Sequence, residues 1–366
     1  MRLSDFDYDL PPELIAQTPM RPRDHSRLLV LHRESGDVGH RRFLDLTDYV
    51  RAGDVVVFND TRVFPARLRG RREPSGGAVE ALLLREAEPG VWEALVKPGR
   101  RVRVGDELSF GGGELRARVV DRTPSGGRRL ALFADNGVDK ALMRVGETPL
   151  PPYIHRPPDN PDDYQTIYAR RRGSSAAPTA GLHFTPRMMR AIAERGVGIA
   201  WLTLHIGLAT FMPIREEEVE RHEMHSEWCS VPAATAQALG DARARGGRCV
   251  AVGTTTARAL EASARAGAIQ PFEGETDIFI APGHQFRAVD ALLTNFHMPR
   301  STPLLLTCAF GGRERVLAAY REAVRERYRF LSFGDAMLIT GRPDASERFR
   351  GFSEAAPMCN PARVRR

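Results

Sequence analysis

Histidines, hydroxyls and glycines gather in a few short stretches of this chain, and proton transfer and anion binding are the chemistries they suit. In Thr179-Ala180-Gly181-Leu182-His183-Phe184-Thr185-Pro186 a histidine follows a glycine turn, and in His205-Ile206-Gly207-Leu208-Ala209-Thr210-Phe211 another precedes one. Glycine lets backbone approach a ligand closely. Either histidine alone reads better as a satisfied turn residue, so the pair takes its weight from its surroundings. The stretch Thr294-Asn295-Phe296-His297-Met298-Pro299-Arg300-Ser301-Thr302 sets Asn295, His297, Arg300 and Ser301 around one proline, with Phe296 able to stack on a base. A structural loop rarely needs so many polar side chains, which favours function there.

Three further stretches carry weaker signals. Val252-Gly253-Thr254-Thr255-Thr256 joins a strand to a helix, and free N–H groups at a helix start attract phosphate or carboxylate. GxxxxGK[ST] is absent, so this is no P-loop, and a plain capped turn fits as well. Asn59-Asp60-Thr61-Arg62 closes an apolar run, a place that often lines a site in open sheets, with a simple Asx turn as the even alternative. Asp335, between Gly334 and an apolar run, is a cap or a buried carboxylate facing the site; caps are commoner. His222 and His225 have HxxH spacing near Cys229, but HExxH and paired cysteines are absent, so ordinary hydrogen-bonded histidines outweigh zinc and no metal is expected.

These groups need elements to hold them. Thr185 can cap a helix with Pro186 in its first position, running through Met188, Met189 and Ile192 to Gly196. A strand over 198–204 then delivers His205. Buried strands are expected over 28–31, 54–58 and 248–252, a helix over 257–261 and another over 313–328; 291–294 and 304–306 are apolar runs. Pro11-Pro12-Glu13 reads as a helix start, and residues 163–169 as helical or extended. Between 66 and 146 the texture changes to short alternating runs (79–84, 92–96, 115–120, 129–133) separated by glycine turns, the pattern of a small antiparallel barrel. The fold class that follows is α/β: a main domain from 1–65 and 147–340, a β-barrel domain inserted over 66–146, and a flexible tail over 341–366. The barrel arginines Arg67, Arg69, Arg71, Arg72, Arg100, Arg101 and Arg103 could track phosphates or form a solvated face, the commoner case.

The chain of 366 residues has ordinary hydrophobic (42%) and charged (27%) content for a soluble globular protein. Net charge is +7, carried almost wholly by arginine, with lysine only at Lys97 and Lys140. That permits a polyanionic partner. No apolar run is long enough to span a bilayer, and the N-terminus lacks a signal-peptide core. Cys229, Cys249, Cys308 and Cys359 are scattered, which suits reduced thiols and a cytoplasmic location.

At these residues the sequence resembles the S-adenosylmethionine:tRNA ribosyltransferase-isomerase family of the queuosine pathway. The motifs are Phe58-Asn59-Asp60-Thr61-Arg62-Val63, Ala177-Pro178-Thr179-Ala180-Gly181-Leu182-His183-Phe184-Thr185, Leu202-Thr203-Leu204-His205-Ile206-Gly207, Val252-Gly253-Thr254-Thr255 and Thr294-Asn295-Phe296-His297-Met298-Pro299. Ala209 stands where the family has glycine, Ser175 where valine is usual, and Pro303 interrupts a leucine-rich run. The resemblance implies transfer and isomerisation of the ribosyl part of S-adenosylmethionine onto 7-aminomethyl-7-deazaguanine at the tRNA wobble position. Epoxyqueuosine forms, and adenine and methionine leave. S-adenosylmethionine is then a cosubstrate, no cofactor is tightly bound, and a monomer is expected. His183, His205 and His297 become the acid/base set, and Asp60 or Asp335 the balance for the sulfonium charge. Thr254 and Thr255 would hold the methionine carboxylate, and Arg62, Arg258 and Arg300 the tRNA phosphates. Asn59, Thr61, Thr179, Gly181, Gly207, Gly253, Asn295, Phe296 and Ser301 complete the expected substrate contacts. The rivals are an RNA methyltransferase, which lacks its glycine-rich nucleotide turn here, and a non-catalytic RNA-binding module.

Overall fold

The computed structural model describes residues 1–123, 126–156, 158–207, 214, 216–264 and 268–341. The expected turn after Gly207, including Ala209, and the expected tail beyond Gly341 lie outside the described residues.

The main body is built on a nine-stranded mixed sheet. Its first strands are β1 (Arg27–His32), the edge strand β2 (Val38–Arg42) and β3 (Val55–Asn59), from whose end the short β4 (Thr61–Val63) departs. The chain then enters a closed barrel of β5 (Arg67–Glu73), β6 (Gly77–Glu88), β7 (Val91–Lys97), β8 (Glu107–Phe110), β9 (Leu115–Arg122) and β10 (Arg128–Phe133). Helix α1 (Val138–Val145) plugs it with Ala141 and Leu142. The chain returns through β11 (Arg171–Ser174), which pairs in parallel with β4. After that come α2 (Pro186–Glu194), β12 (Gly198–Leu204), β13 (Glu227–Val231), α3 (Ala233–Ala244), β14 (Cys249–Val252), α4 (Thr254–Ser263) and β15 (Phe272–Thr276). The described chain closes with β16 (Ala291–Asn295), α5 (Thr302–Gly311), α6 (Arg313–Arg325) and β17 (Ala336–Thr340).

The central strands are apolar over most of their length, with polar residues confined to their ends, because both faces of the sheet are covered. Val55 and Val57 of β3 face one core with Leu292, Met337 and Ile339, under α3, α4, α5 and α6. Val56 and Phe58 face the other, with Leu293, Leu338, and Met188 and Ile192 of α2. β12, β3, β14 and β16 run parallel as neighbours, so their carboxyl ends emerge at one edge of the sheet. Open α/β sheets bind ligands there. β4 and β11, the neck leading to the barrel, leave from the same edge.

The apolar run 304–306 lies in a helix, α5, largely apolar because it is buried between α4 and α6. Two expectations are corrected by the structure. The helix expected from Pro11 is one 3₁₀ turn, Pro12–Leu14, and the 163–169 segment contributes only the turn Pro161–Tyr164. Two barrel strands escaped the sequence reading. β5 alternates, but its outward positions are arginines and glutamate, and β8 has four residues, so neither shows a clear apolar rhythm. Three of the seven barrel arginines are paired: Arg67 and Arg69 share Glu80, Arg69 also meets Glu147, and Arg72 meets Asp106, while Arg71, Arg100, Arg101 and Arg103 have no ion pair among the described residues.

Candidate active site

A cavity of about 480 Å³ opens at the carboxyl edge of the parallel strands, within the roughly 300–1,000 Å³ range of small-molecule sites. Its wall takes Gly253, Thr254 and Thr255 from the β14–α4 turn, and Thr294 to Ser301 from the end of β16. Ala176 to Ala180, Ile206, Tyr153 and Ser332 close the remaining sides. No aspartate or glutamate lines it among the described residues.

The β14–α4 turn needs glycine because Gly253 sits at φ 93°. No side chain caps the first turn of α4, so its N–H groups face the cavity wall with the Thr254 and Thr255 hydroxyls beside them. Thr255 Oγ1 also accepts from Asn59 Nδ2 at 3.3 Å. Asn59 is fully buried and extends the sheet by side chain: Oδ1 accepts the Leu204 and Thr61 N–H groups, and Nδ2 donates to the Leu204 carbonyl. It ties the ends of β3, β12 and α4 together.

Of the three imidazoles, His297 alone lines the cavity. Its Nε2 pairs with Thr294 Oγ1 at 2.8 Å, and Nδ1 has no hydrogen-bond partner among the described residues. The backbone at His297 is held on both sides: Tyr8 donates its hydroxyl to the carbonyl, and Tyr320 Oη accepts the N–H at 3.2 Å. Burial pushes the ring down to about 3, so it is neutral and able to accept a proton.

His183 lies one layer behind. Its Nδ1 meets Ser26 Oγ at 2.8 Å, its ring stacks on Phe43, and Nε2 lies 3.4 Å from Asn295 Nδ2. Asn295 Oδ1 in turn accepts from Thr179 Oγ1 at 2.9 Å. A relay Ser26–His183–Asn295–Thr179 thus reaches the cavity, with the imidazole fixing which way the Asn295 amide points. Burial first, then the charge of Arg23, lower His183 to about 3. The unfolded chain would bind a proton on this ring below pH ~6.5 while the native protein does not, so stability falls as pH drops from there toward 3. His183→Gln should therefore flatten the pH dependence of urea-unfolding stability between pH 6 and 4 by ~1.4 kcal/mol per pH unit. Parallel curves for variant and parent would refute the neutral buried ring.

His205 turns away from the cavity, although its neighbour Ile206 lines it. Nδ1 bonds Thr61 Oγ1 at 2.8 Å, the ring stacks on Trp228 with centroids 5.0 Å apart, and a Cβ on Gly173 would stand 2.6 Å from Nε2. Burial, with the nearby Arg171 charge, lowers it to about 4.

Several expected contacts have structural work instead. Asp335 is a buried carboxylate just before β17 that caps no helix; it accepts the N–H groups of Arg27 and Arg329 and does not line the cavity. Burial raises its pKa against those two bonds. Asp60 accepts from Thr203 Oγ1 at 2.6 Å, also off the cavity. Every guanidinium nitrogen of Arg258 is engaged within the protein, by Glu227 and by the carbonyls of Ile278, His225 and Thr276. Arg258 is therefore not placed to hold phosphate. The Phe296 ring is buried among Tyr320, Tyr328 and Phe330, not free to stack on a base. Gly181 gives room to the Tyr168 hydroxyl, 1.9 Å from where a Cβ would be, and Gly207 donates its N–H to Glu227. Ser301 caps α5, and Arg300 at the rim pairs with Asp7. Arg62 stands on β4, half-buried, outside the cavity.

Tyr153 and Ser332, joined by a 2.8 Å hydroxyl pair in the wall, were not read as site residues. Nothing local in the sequence joins Tyr153 to a serine 179 positions away.

Residues 3–339 match the family described as queuosine biosynthesis protein. The chain belongs to that family. It is 57% identical over 341 residues to the S-adenosylmethionine:tRNA ribosyltransferase-isomerase of Moorella thermoacetica, covering 93% of this chain and 100% of that protein. Identity to the protein of the same name from Symbiobacterium thermophilum is 54% over 340 residues, with the same coverage. The crystal structure of the S-adenosylmethionine tRNA ribosyltransferase from Thermotoga maritima superposes with a TM-score of 0.54 at 41% identity, over 92% of this chain and 99% of that one. The likeness to the queuosine biosynthesis family thus spans sheet, barrel and cavity together.

Proposed function

We propose that this chain transfers and isomerises the ribosyl part of S-adenosylmethionine onto tRNA, the acceptor being 7-aminomethyl-7-deazaguanine at the wobble position, with release of adenine and methionine. The observation that carries the reading is the cavity at the strand ends, where a neutral imidazole, an amide relay and an uncapped helix start face one space, in a chain so similar to named enzymes of this reaction.

The methionine carboxylate fits the start of α4, where Thr254, Thr255 and the helix dipole favour an anion. The sulfonium then lies against a wall without carboxylates among the described residues. Its positive charge stays uncompensated and acidifies the adjacent carbon. Nδ1 of His297 is the group placed to take that proton, and the Thr179–Asn295 pair the one to orient sugar hydroxyls or the acceptor amine. S-adenosylmethionine serves as cosubstrate, with no tightly bound cofactor. The reading includes a monomer, and a cytoplasmic location suits both substrates.

The test is incubation with labelled S-adenosylmethionine and precursor tRNA. Free adenine and methionine with labelled sugar on the tRNA are expected. S-adenosylhomocysteine with a methylated tRNA would replace this reading by methyl transfer, and tRNA binding with intact cosubstrate by a binding module.

A further inference from the structure

The neck between body and barrel carries cations with no carboxylate partner. Arg171 and Arg172 of β11 are exposed, and Arg62 of β4 is half-buried. β11 and β4 run in parallel with Arg172 directly beside Arg62. Like charges side by side on paired strands destabilise the pairing, and no ion pair relieves Arg62, Arg171 or Arg172 among the described residues. On the barrel, Arg67, Arg69, Arg72, Arg85, Arg116 and Arg129 each meet a carboxylate, while Arg71, Arg100, Arg101 and Arg103 have no ion pair among the described residues, so the neck is set apart by its side-by-side placement and not by lack of partners alone.

The neck is also continuous with the cavity. Beyond Ser174 the chain runs straight into Ala176 and Ala177 of the cavity wall. Ser174 Oγ accepts the N–H of Ile206, another wall residue, at 2.9 Å, and Ser175 donates its N–H to the Ile206 carbonyl at 2.9 Å. His205 stands between, bonded to Thr61 and stacked on Trp228.

From this juxtaposition we infer that Arg62, Arg171 and Arg172 grip the phosphates of the RNA strand next to the nucleotide entering the cavity. Guanidinium forks suit phosphate, and an anion there relieves the repulsion that the fold leaves standing. The inference rests on the RNA-acceptor reading above and adds the surface that holds the acceptor. The barrel face, where Arg67, Arg69 and Arg72 are paired with carboxylates and Arg100 and Arg101 have no ion pair among the described residues, is the comparison surface.

The experiment measures tRNA binding without S-adenosylmethionine across a salt series. It compares the parent with Arg171→Ala/Arg172→Ala, with the charge-keeping Arg171→Lys/Arg172→Lys, and with Arg100→Ala/Arg101→Ala on the barrel. The neck alanine pair should weaken binding about tenfold or more and lower the slope of log affinity against log salt by about two, one per lost phosphate contact. The lysine pair should keep most of that slope, and the barrel pair should bind within about twofold of the parent. Equal losses from neck and barrel pairs, or no loss from the neck, would overturn the assignment. Because binding is read without the cosubstrate, failure of ribosyl transfer cannot mimic either result. A neck variant that turns over S-adenosylmethionine with an unchanged KM for tRNA would remove the neck and leave the reaction intact.

Discussion

His297→Ala should lower adenine release by about a hundredfold or more, the usual scale for losing a positioned acid or base. His297 is the one imidazole that lines the cavity, and its Nδ1 is unbonded among the described residues while Thr294 holds Nε2. The loss should fall on kcat more than on KM for S-adenosylmethionine, because the ring acts on a proton in flight and does not anchor the methionine or adenine groups. Thr294→Val, which frees the ring to rotate, should give a smaller loss of the same kind. Since burial holds the ring near 3, the base stays deprotonated well below the ordinary range, and kcat/KM should show no loss from this group between pH 7 and 5. An acid limb centred near pH 6.5 that disappears in His297→Ala would show an exposed, ordinary histidine. Near-parental adenine release from His297→Ala would remove the base assignment altogether.

The elements of the fold were readable wherever one physical signal dominated. The 198–204 strand, the Thr185 cap and the strands expected over 54–58 and 248–252 stand where pattern and capping chemistry put them, and the apolar run 291–294 proves to be a strand. The barrel was legible from its glycine turns, although its arginine-rich strand β5 was not. The site was legible as a set of stretches and not as a set of roles. Asn59, Asp60 and Asp335 are polar residues near strand ends and Arg258 lies within α4, and sequence cannot tell a side chain that faces a ligand from one that completes a backbone ladder or a buried ion pair. The difference lies in direction, fixed by long-range partners such as Leu204, Thr203, Glu227 and Arg27. Phe296 illustrates the same limit: its neighbours His297 and Asn295 face the cavity, while its ring completes an aromatic core with Tyr320 and Phe330.

Glu227→Ala should destabilise the protein by roughly 3–5 kcal/mol, the cost of leaving a buried charge without its partner. Glu227 and Arg258 retain only 4% and 7% side-chain exposure and are joined directly. Glu227 Oε1 also accepts the Gly207 N–H at 2.7 Å, and Arg258 gathers carbonyls of His225, Thr276 and Ile278. The pair therefore fastens β13, α4 and the approach to β15 to the turn that follows His205. Glu227→Gln should lose less than Glu227→Ala, since an amide keeps hydrogen bonds but not the charge, whereas Arg258→Met should cost about as much as Glu227→Ala, since it strands the buried Glu227 carboxylate and the carbonyls that Arg258 serves. Urea-unfolding midpoints read this order directly, with slopes close to the parent's if the transition stays two-state. The same variants separate support from RNA contact. At a temperature where Arg258→Met is still folded, its tRNA affinity should fall with salt as steeply as the parent's, because this guanidinium touches no phosphate. A shallower salt slope in Arg258→Met, with stability unchanged, would return Arg258 to the RNA-binding face and contradict the buried pair.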